Sequence, residues 1–386
     1  MTVIDRIAAR HAEMTAWRHD FHAHPEIAFE EKRTSDIVAS KLESFGVEVH
    51  RGLAKTGVVG TIRNGDGPAI GLRADMDALP ISEANQFAHR STIAGKMHAC
   101  GHDGHTTMLR GAARYLAETK RFRGTVHFIF QPAEENEGGG RVMVEEGLFE
   151  KFPVKSVFGM HNYPGQAVGT IACRAGPMMA GTVRLQIEII GRGTHAANPQ
   201  MGIDPVVVGS HIVTALQTIV SRSISPLDSV VISITNFHVG EIWNVIAEKA
   251  VLRGTIRYFR PEVEKEVGTM VHRIAENVAA AYGAKVKIHY ELRYPPTVNH
   301  PAETEEAARV AAMVVGAENV IHDPTPTMGA EDFAFMLQKR PGTYVWLGGG
   351  SDEGGCFCHS PTYDFNDEIL PIGTTFWIKL VETLLV

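Results

Sequence analysis

Nine consecutive residues, Met97-His98-Ala99-Cys100-Gly101-His102-Asp103-Gly104-His105, concentrate three histidines, a cysteine and an aspartate around two glycines. No other stretch of the chain is as dense in metal-capable side chains. Thiolate and imidazole both suit borderline transition ions. Alternate residues of an extended segment face the same way, so Cys100 and His102 can converge on one point. Residues 106–116 follow with helical spacing, offering Met108, Leu109, Ala112, Ala113 and Leu116 for burial. A ligand-bearing loop opening onto a helix is the expected arrangement. The plain alternative is a polar turn whose histidines cap that helix, and five candidate ligands around two glycines weigh against it.

Other residues could complete such a site. Glu134 and Glu135 sit side by side in Gln131-Pro132-Ala133-Glu134-Glu135. In an extended segment they would face opposite ways. One could then ligate while the other takes a proton from a water activated by the cation. A solvated acidic loop is the alternative, since Glu137 lies nearby. His161 ends the apolar run 157–160 and precedes Asn162; it is either a ligand or a satisfied core histidine. His359 follows Cys356-Phe357-Cys358 and could belong to the same site, to a second metal knot, or to a redox pair. His195 lies in a small-residue loop, residues 191–197, and could reach a ligand or simply form a turn. Arg257 offers a bidentate fork for a carboxylate unless solvated or paired.

The elements that must position these groups are of the α/β kind. Residues 57–62, 69–72, 125–130 and 157–160 read as strands interleaved with helices, after a helical first 35 to 45 residues. Asp75 and Asp77 follow the second strand, Glu134 and Glu135 the third, and His161 and Asn162 the fourth. Sites in open α/β sheets form beyond the carboxyl ends of strands, so these residues should share one crevice. From residue 182 the pattern changes to βαββαβ: strands 183–190, 230–238, 250–257 and 285–292, with helices 205–221 and 262–282. That is the ferredoxin-like order. We expect residues 182–294 to be a domain inserted into a discontinuous metal-binding domain, 1–181 and 295–386. A helix over 302–315, a short one over 332–338, a strand over 343–347 and a helix over 370–385 complete the chain.

Composition sets limits. The 386 residues carry a net charge of -7 and no basic run, which argues against nucleic-acid binding. No apolar run approaches the ~20 residues that span a bilayer. The N-terminal residues include acids and lack a signal-like apolar core. Four cysteines are too few for a disulfide scaffold at this length. A cytoplasmic location is the expectation.

The motifs together resemble the amidohydrolase branch of the co-catalytic metallopeptidases, which includes hippurate hydrolases, N-acyl-amino-acid amidohydrolases and indole-acetyl-amino-acid hydrolases. The resemblance rests on His22-x-His24-Pro25-Glu26, Arg73-Ala74-Asp75-Met76-Asp77-Ala78-Leu79-Pro80, residues 97–105, and Phe130-Gln131-Pro132-Ala133-Glu134-Glu135. It continues through His161-Asn162, residues 193–197, Gly329-Ala330-Glu331-Asp332-Phe333 and His359-Ser360-Pro361. It implies a zinc-exopeptidase-like catalytic domain, a mainly parallel sheet covered by helices, with an inserted ferredoxin-like lid that serves dimerisation. It implies two divalent ions per subunit (manganese, zinc, nickel or cobalt) on Cys100, His102, Glu135, His161 and His359. Glu134 would be the general base and Asp75 a support behind the ligands. His195 would help hold the substrate carbonyl, within its subunit or across a homodimer, and Asn244 and Arg257 would touch substrate. The implied reaction splits N-acyl amino acids into a carboxylic acid and a free amino acid. Alternatives are an N-acetyl-diaminopimelate deacetylase, a dipeptidase, or a non-catalytic binder that keeps the fold. Thr194 and Gln200 depart from the pattern, where glycine and histidine are common, and the Cys356-x-Cys358 pair is unusual beside the last ligand.

Overall fold

The computed structural model describes residues 1–135, 137–350 and 357–386. The chain forms two compact units, one of Met1–Met178, Val298–Thr325 and Asp332–Val386, the other of Met179–Thr297 with Pro326–Glu331.

In chain order the first unit opens with α1 (Asp5–Ala8), α2 (His11–Ala23) and α3 (Lys32–Ser44), then β1 (Glu48–Leu53), β2 (Gly57–Asn64) and β3 (Ala69–Asp75). Next come α4 (His102–Thr119), β4 (Gly124–Gln131), α5 (Gly139–Glu145), α6 (Leu148–Lys151), β5 (Ser156–Tyr163), β6 (Ile171–Cys173) and β7 (Gly176–Met179). The second unit contains β8 (Gly181–Ile190), β9 (Thr194–His195), α7 (Pro205–Thr218), β10 (Val230–Val239), β11 (Val245–Ile246), β12 (Lys249–Tyr258), α8 (Pro261–Ala281) and β13 (Lys285–Tyr294). After β14 (Thr297–Asn299) the chain adds α9 (Pro301–Val315), β15 (Val320–His322), α10 (Ala334–Leu337), β16 (Gly342–Gly348) and α11 (Leu370–Leu384).

The large sheet of the first unit runs β1-β2-β4-β3-β5-β16-β6-β15. Its centre is parallel: β3 pairs β4, β3 pairs β5, and β5 pairs β16 in that sense. Nearly every residue of β3, β4 and β16 is buried, as a sheet covered on both faces requires. The parallel registers align the strand ends, with Asp75 opposite Gln131 and His161 opposite Trp346. Side chains placed just past those ends are therefore brought to one edge of the sheet. The 57–62 strand joins this sheet antiparallel to β4. Beyond it lies β1, an edge strand with mostly exposed residues and no apolar alternation to mark it in the sequence.

Helix α4 is buried along most of its length, from His102 to Leu116 with few exceptions, and packs on α2, α11 and β3. A helix apolar on nearly all sides belongs inside a core. Its burial fixes the position of its first turn, where the ligand candidates lie.

The second unit has its own sheet, β10-β12-β8-β13, antiparallel throughout. Strand β8 alternates buried and half-buried residues, the mark of one covered face. Helices α7 and α8 bury Val208, Ile212, Leu216, Val267 and Val271 in that core. Asp204 caps α7 by accepting from the Val206 amide, with Pro205 at the first helical position. No helix of the described residues is long and apolar enough to cross a membrane.

Candidate metal centre

The turn between Cys100 and His102 is made by Gly101, whose φ of +104° belongs to the left-handed region. A Cβ there would also meet Asn162 Oδ1 at 2.2 Å and the Tyr363 hydroxyl at 2.8 Å. Glycine is required on both counts. His102 is the first residue of α4, so the helix begins four residues before the expected 106, and a sharp turn, not strand alternation, brings Cys100 and His102 together. At Gly104, one turn into the helix, an added Cβ would lie 2.3 Å from the buried Phe365 ring.

Glu134 and Glu135 lie in a turn, not in the extended segment expected from the sequence. Ala133 before them has φ +56°, an uncommon conformation for a residue with a side chain. Three hydrogen bonds hold it there. The Ala133 amide donates to Glu31 Oε1, and the Glu134 and Glu135 amides donate to the two oxygens of Asp77, each at 2.9 Å. Turning the chain in this way keeps both carboxylates on one side, where each approaches His102 within 4.8 Å. The expectation that they face opposite ways is corrected by that turn.

Five of the candidate ligands gather in two overlapping groups. Cys100, His102 and His161 present donor atoms within 4.8 Å of one another, and so do Cys100, Glu135 and His359. Cys100 belongs to both groups, its sulfur 3.3 Å from His161 Nε2. His359 Nε2 is 3.1 Å from Glu135 Oε1, and His359 itself sits at φ +68°. Strained backbone on both sides of a ligand cluster is the kind of feature that functional sites retain.

The imidazoles are oriented from behind. His102 Nδ1 donates to the Asp77 carbonyl at 2.9 Å, which turns Nε2 into the cluster. That nitrogen is buried with no hydrogen-bond partner among the described residues. His161 Nδ1 donates to the Asn162 carbonyl at 2.6 Å and turns Nε2 toward Cys100. Burial opposes a charged His102, yet Asp75 and Asp77 lift its pKa to about 10. Glu135 raises His359. The neighbouring Cys358, burial and the two glutamates push the Cys100 thiol up. Neighbouring carboxylates thus act on His102, His359 and Cys100, whereas burial and then His105 hold His161 well below its ordinary value. A thiol, three imidazoles and carboxylates brought together, with an orphaned nitrogen aimed among them, are a donor set that fits divalent transition cations.

Asp75 supports this cluster through its neighbours. Its Oδ1 accepts from His105 Nδ1 at 2.6 Å and its Oδ2 from Arg73 at 2.8 Å. Burial would raise its pKa, but His102, His105 and Arg73 hold it well below the usual carboxylate range. Arg73 also reaches Gln131 and Asp332. A second support acts on Asp103, which accepts from His22 Nδ1 at 2.8 Å and from the Gly104 amide. The sequence reading did not assign these duties to Asp77, His105, Asp103 or His22. The signal was present in the density of polar residues in strands and helices that must be buried.

The remaining candidates belong to the second unit. His195 is exposed on β9, opposite Val245, and its Nδ1 accepts from the Ala197 amide at 3.0 Å, so Nε2 carries the proton. The Asn244 carbonyl accepts from the Ala196 amide at 2.9 Å. Arg257 lies on β12, with Nε donating to Thr255 and one terminal nitrogen to the Met328 carbonyl at 3.4 Å. Burial lowers its pKa. Cys356 lies outside the described residues; Cys358 places its sulfur 3.6 Å from the Cys100 carbonyl.

Residues 71–383 match the model of peptidase family M20/M25/M40. The chain is 38% identical over 381 residues to a hippurate hydrolase of Campylobacter jejuni, covering 98% of each chain. It is 39% identical, with 98% of each chain covered, to an N-acetylcysteine deacetylase of Bacillus subtilis. Among solved structures it is similar to the YXEP protein of Bacillus subtilis, described as a dinuclear metal-binding peptidase of the M20 family, with a TM-score of 0.84 and 35% identity over 98% of this chain and 99% of that one. These likenesses extend over the same residues that build the donor cluster, and the chain belongs to peptidase family M20/M25/M40.

Proposed function

We propose that the protein is a metal-dependent amidohydrolase that cleaves N-acyl amino acids into a carboxylic acid and a free amino acid. The observation that carries this reading is the sharing of Cys100 between two donor groups with Glu134 beside them. Relatives named hippurate hydrolase and N-acetylcysteine deacetylase support the substrate class. Cys100, His102 and His161 would hold one divalent ion, and Cys100, Glu135 and His359 the other. When bound, the ions supply Lewis acidity that polarises an amide carbonyl and lowers the pKa of a water.

The chain's own groups do the rest. Glu134 accepts a proton from the attacking water and returns it to the departing amine nitrogen. Asp77 holds the Glu134 amide, so the base is placed by a buried carboxylate. Asp75 keeps the histidine side of the cluster in register. His195 has its Nε2–H available to donate to the carbonyl oxygen as negative charge develops there. Asn244 and Arg257 would bind the substrate's polar groups, Arg257 its carboxylate.

A donor set mixing sulfur, nitrogen and oxygen favours manganese, zinc, nickel or cobalt over calcium or magnesium. We take residues 182–294 as the lid. Its edge strand β10 with exposed Phe237, and exposed Val206 and Val207 on α7, support a homodimer through that domain. A free thiol in the ligand set fits a reducing cytoplasm. Metal-stripped protein reconstituted with one ion at a time tests the reading on benzoylglycine, N-acetyl amino acids and dipeptides. We expect metal-dependent release of the free amino acid from the first two classes. Turnover that survives complete removal of metal, or dipeptides as the best substrates under every ion, would overturn it.

A further inference from the structure

Cys358 is not among the donor groups formed by the described residues, yet its thiol lies against the one cysteine that both groups share. The His359 amide donates to the Ala99 carbonyl at 2.6 Å, which holds the two backbones together so that residues 358 and 100 are neighbours across the contact. The Cys358 sulfur is 3.6 Å from the Cys100 carbonyl, which seats it beside Cys100. A disulfide takes Cα atoms roughly 4.4–6.8 Å apart, a separation that neighbouring residues on two backbones tied by a direct hydrogen bond can reach. The other described cysteine, Cys173, is buried in β6 with no such neighbour among the described residues. Cys100 is buried whereas Cys358 is partly exposed, so a small oxidant meets Cys358 first.

We propose that Cys100 and Cys358 are a peroxide-sensitive thiol pair whose disulfide withdraws the shared ligand from both donor groups. The Cys358 sulfur attacks one oxygen of the peroxide; the O–O bond breaks, Cys358 becomes a sulfenic acid, and the other oxygen leaves as water. The Cys100 sulfur then attacks the Cys358 sulfur, the S–O bond breaks, and a second water departs. Two thiols lose two electrons and two protons, and one peroxide becomes two waters. A sulfur in a disulfide is no longer a thiolate bridge. The oxidised protein therefore loses metal, and a dithiol reductant restores the site. This last consequence rests on the metal-binding reading above; the sulfur chemistry does not.

The test uses full-length protein, stripped of metal by a chelator, treated with hydrogen peroxide, alkylated and digested without reductant. Mass spectrometry should find one peptide pair linking Cys100 to Cys358, lighter than the reduced pair by two hydrogens, in wild type and in a Cys173→Ser, Cys356→Ser double variant. In parallel, metal-loaded protein exposed to peroxide should release most of its metal and regain it after dithiothreitol and fresh ion. The Cys358→Ser variant should bind metal and turn over substrate like wild type. It should keep its metal under the peroxide exposure that empties wild type, because the thiol that meets the oxidant first is gone and Cys100 is buried. A link between Cys356 and Cys358 in place of Cys100–Cys358, or metal loss from peroxide-treated Cys358→Ser as fast as from wild type, would overturn the proposal. A confirmed link with unchanged metal content would keep the thiol pair and remove Cys100 from the ligands.

Discussion

Glu134 and Glu135 are adjacent acids held on one side of the chain because Asp77 fixes both of their amides and Ala133 turns the chain ahead of them. Replacing Glu134 by Gln keeps the shape and the hydrogen bond to its amide but removes the proton acceptor. We expect metal content to stay at the wild-type level while kcat falls by about 10²–10⁴; elemental analysis and steady-state rates on one preparation separate the two effects. Cys100→Ala should do the reverse at the first step and lower the content of both ions, because the sulfur is common to the two donor groups. Normal metal content in that variant would remove Cys100 from the bridge. At this scale the residues that gather were legible, since thiol, imidazole and carboxylate are rare in such density. The backbone that aims them was not. Positive φ at Ala133 and His359 leaves no mark in residue type, whereas Gly101 does.

Elements hold these residues through packing that admits little change. The first turn of α4 is pressed against Phe365 at Gly104, where an added methyl group would meet the ring at 2.3 Å. Gly104→Ala is expected to cost about 1–3 kcal/mol of stability by overpacking and to weaken metal binding, because His102 and His105 flank it. Denaturant unfolding and metal titration read the two outcomes, and a variant as stable as wild type would show that the ring yields freely. A second device lies away from the site, on β4. His127 is buried, bonded to Thr61 at 2.9 Å, and its pKa is lowered from 6.5 to about 4 by burial and then by Arg63. The unfolded chain thus holds the proton more tightly than the folded one. Stability from this group is complete above pH 6.5 and is lost as the pH falls toward 4, by about 3 kcal/mol at most. Unfolding free energies measured across that window should fall less steeply for His127→Gln than for wild type. The strands and helices themselves were mostly visible as apolar periodicity. The edge strand β1 was not, because an exposed edge need not alternate, and the start of α4 was hidden because its first turn is written in polar residues and glycine in place of apolar ones.

On the scale of the whole molecule the donors come from one unit although they are scattered from Cys100 to His359, with the second unit's strands and helices lying between them in the chain. The ferredoxin-like order of that second unit was readable because each strand has one apolar face, and its core of Val183, Leu185, Ile187, Val267 and Val271 is its own. Ions bound only by the native first unit stabilise that unit alone, each by about 2.7 kcal/mol when free metal stands at a hundred times its dissociation constant. Calorimetry of metal-loaded and chelated protein should therefore show one transition that moves down on metal removal and one that stays. Hydrogen exchange followed by peptide should assign the moving transition to β3, β5, α4 and α11, and the fixed one to β8, β12 and α8. Equal shifts in both sets would mean either that the second unit binds an ion or that the two units unfold as one. Exchange on a Cys100→Ala background distinguishes these, because loss of the sulfur common to the two donor groups leaves an ion in the second unit unaffected and abolishes a shift transmitted from the first.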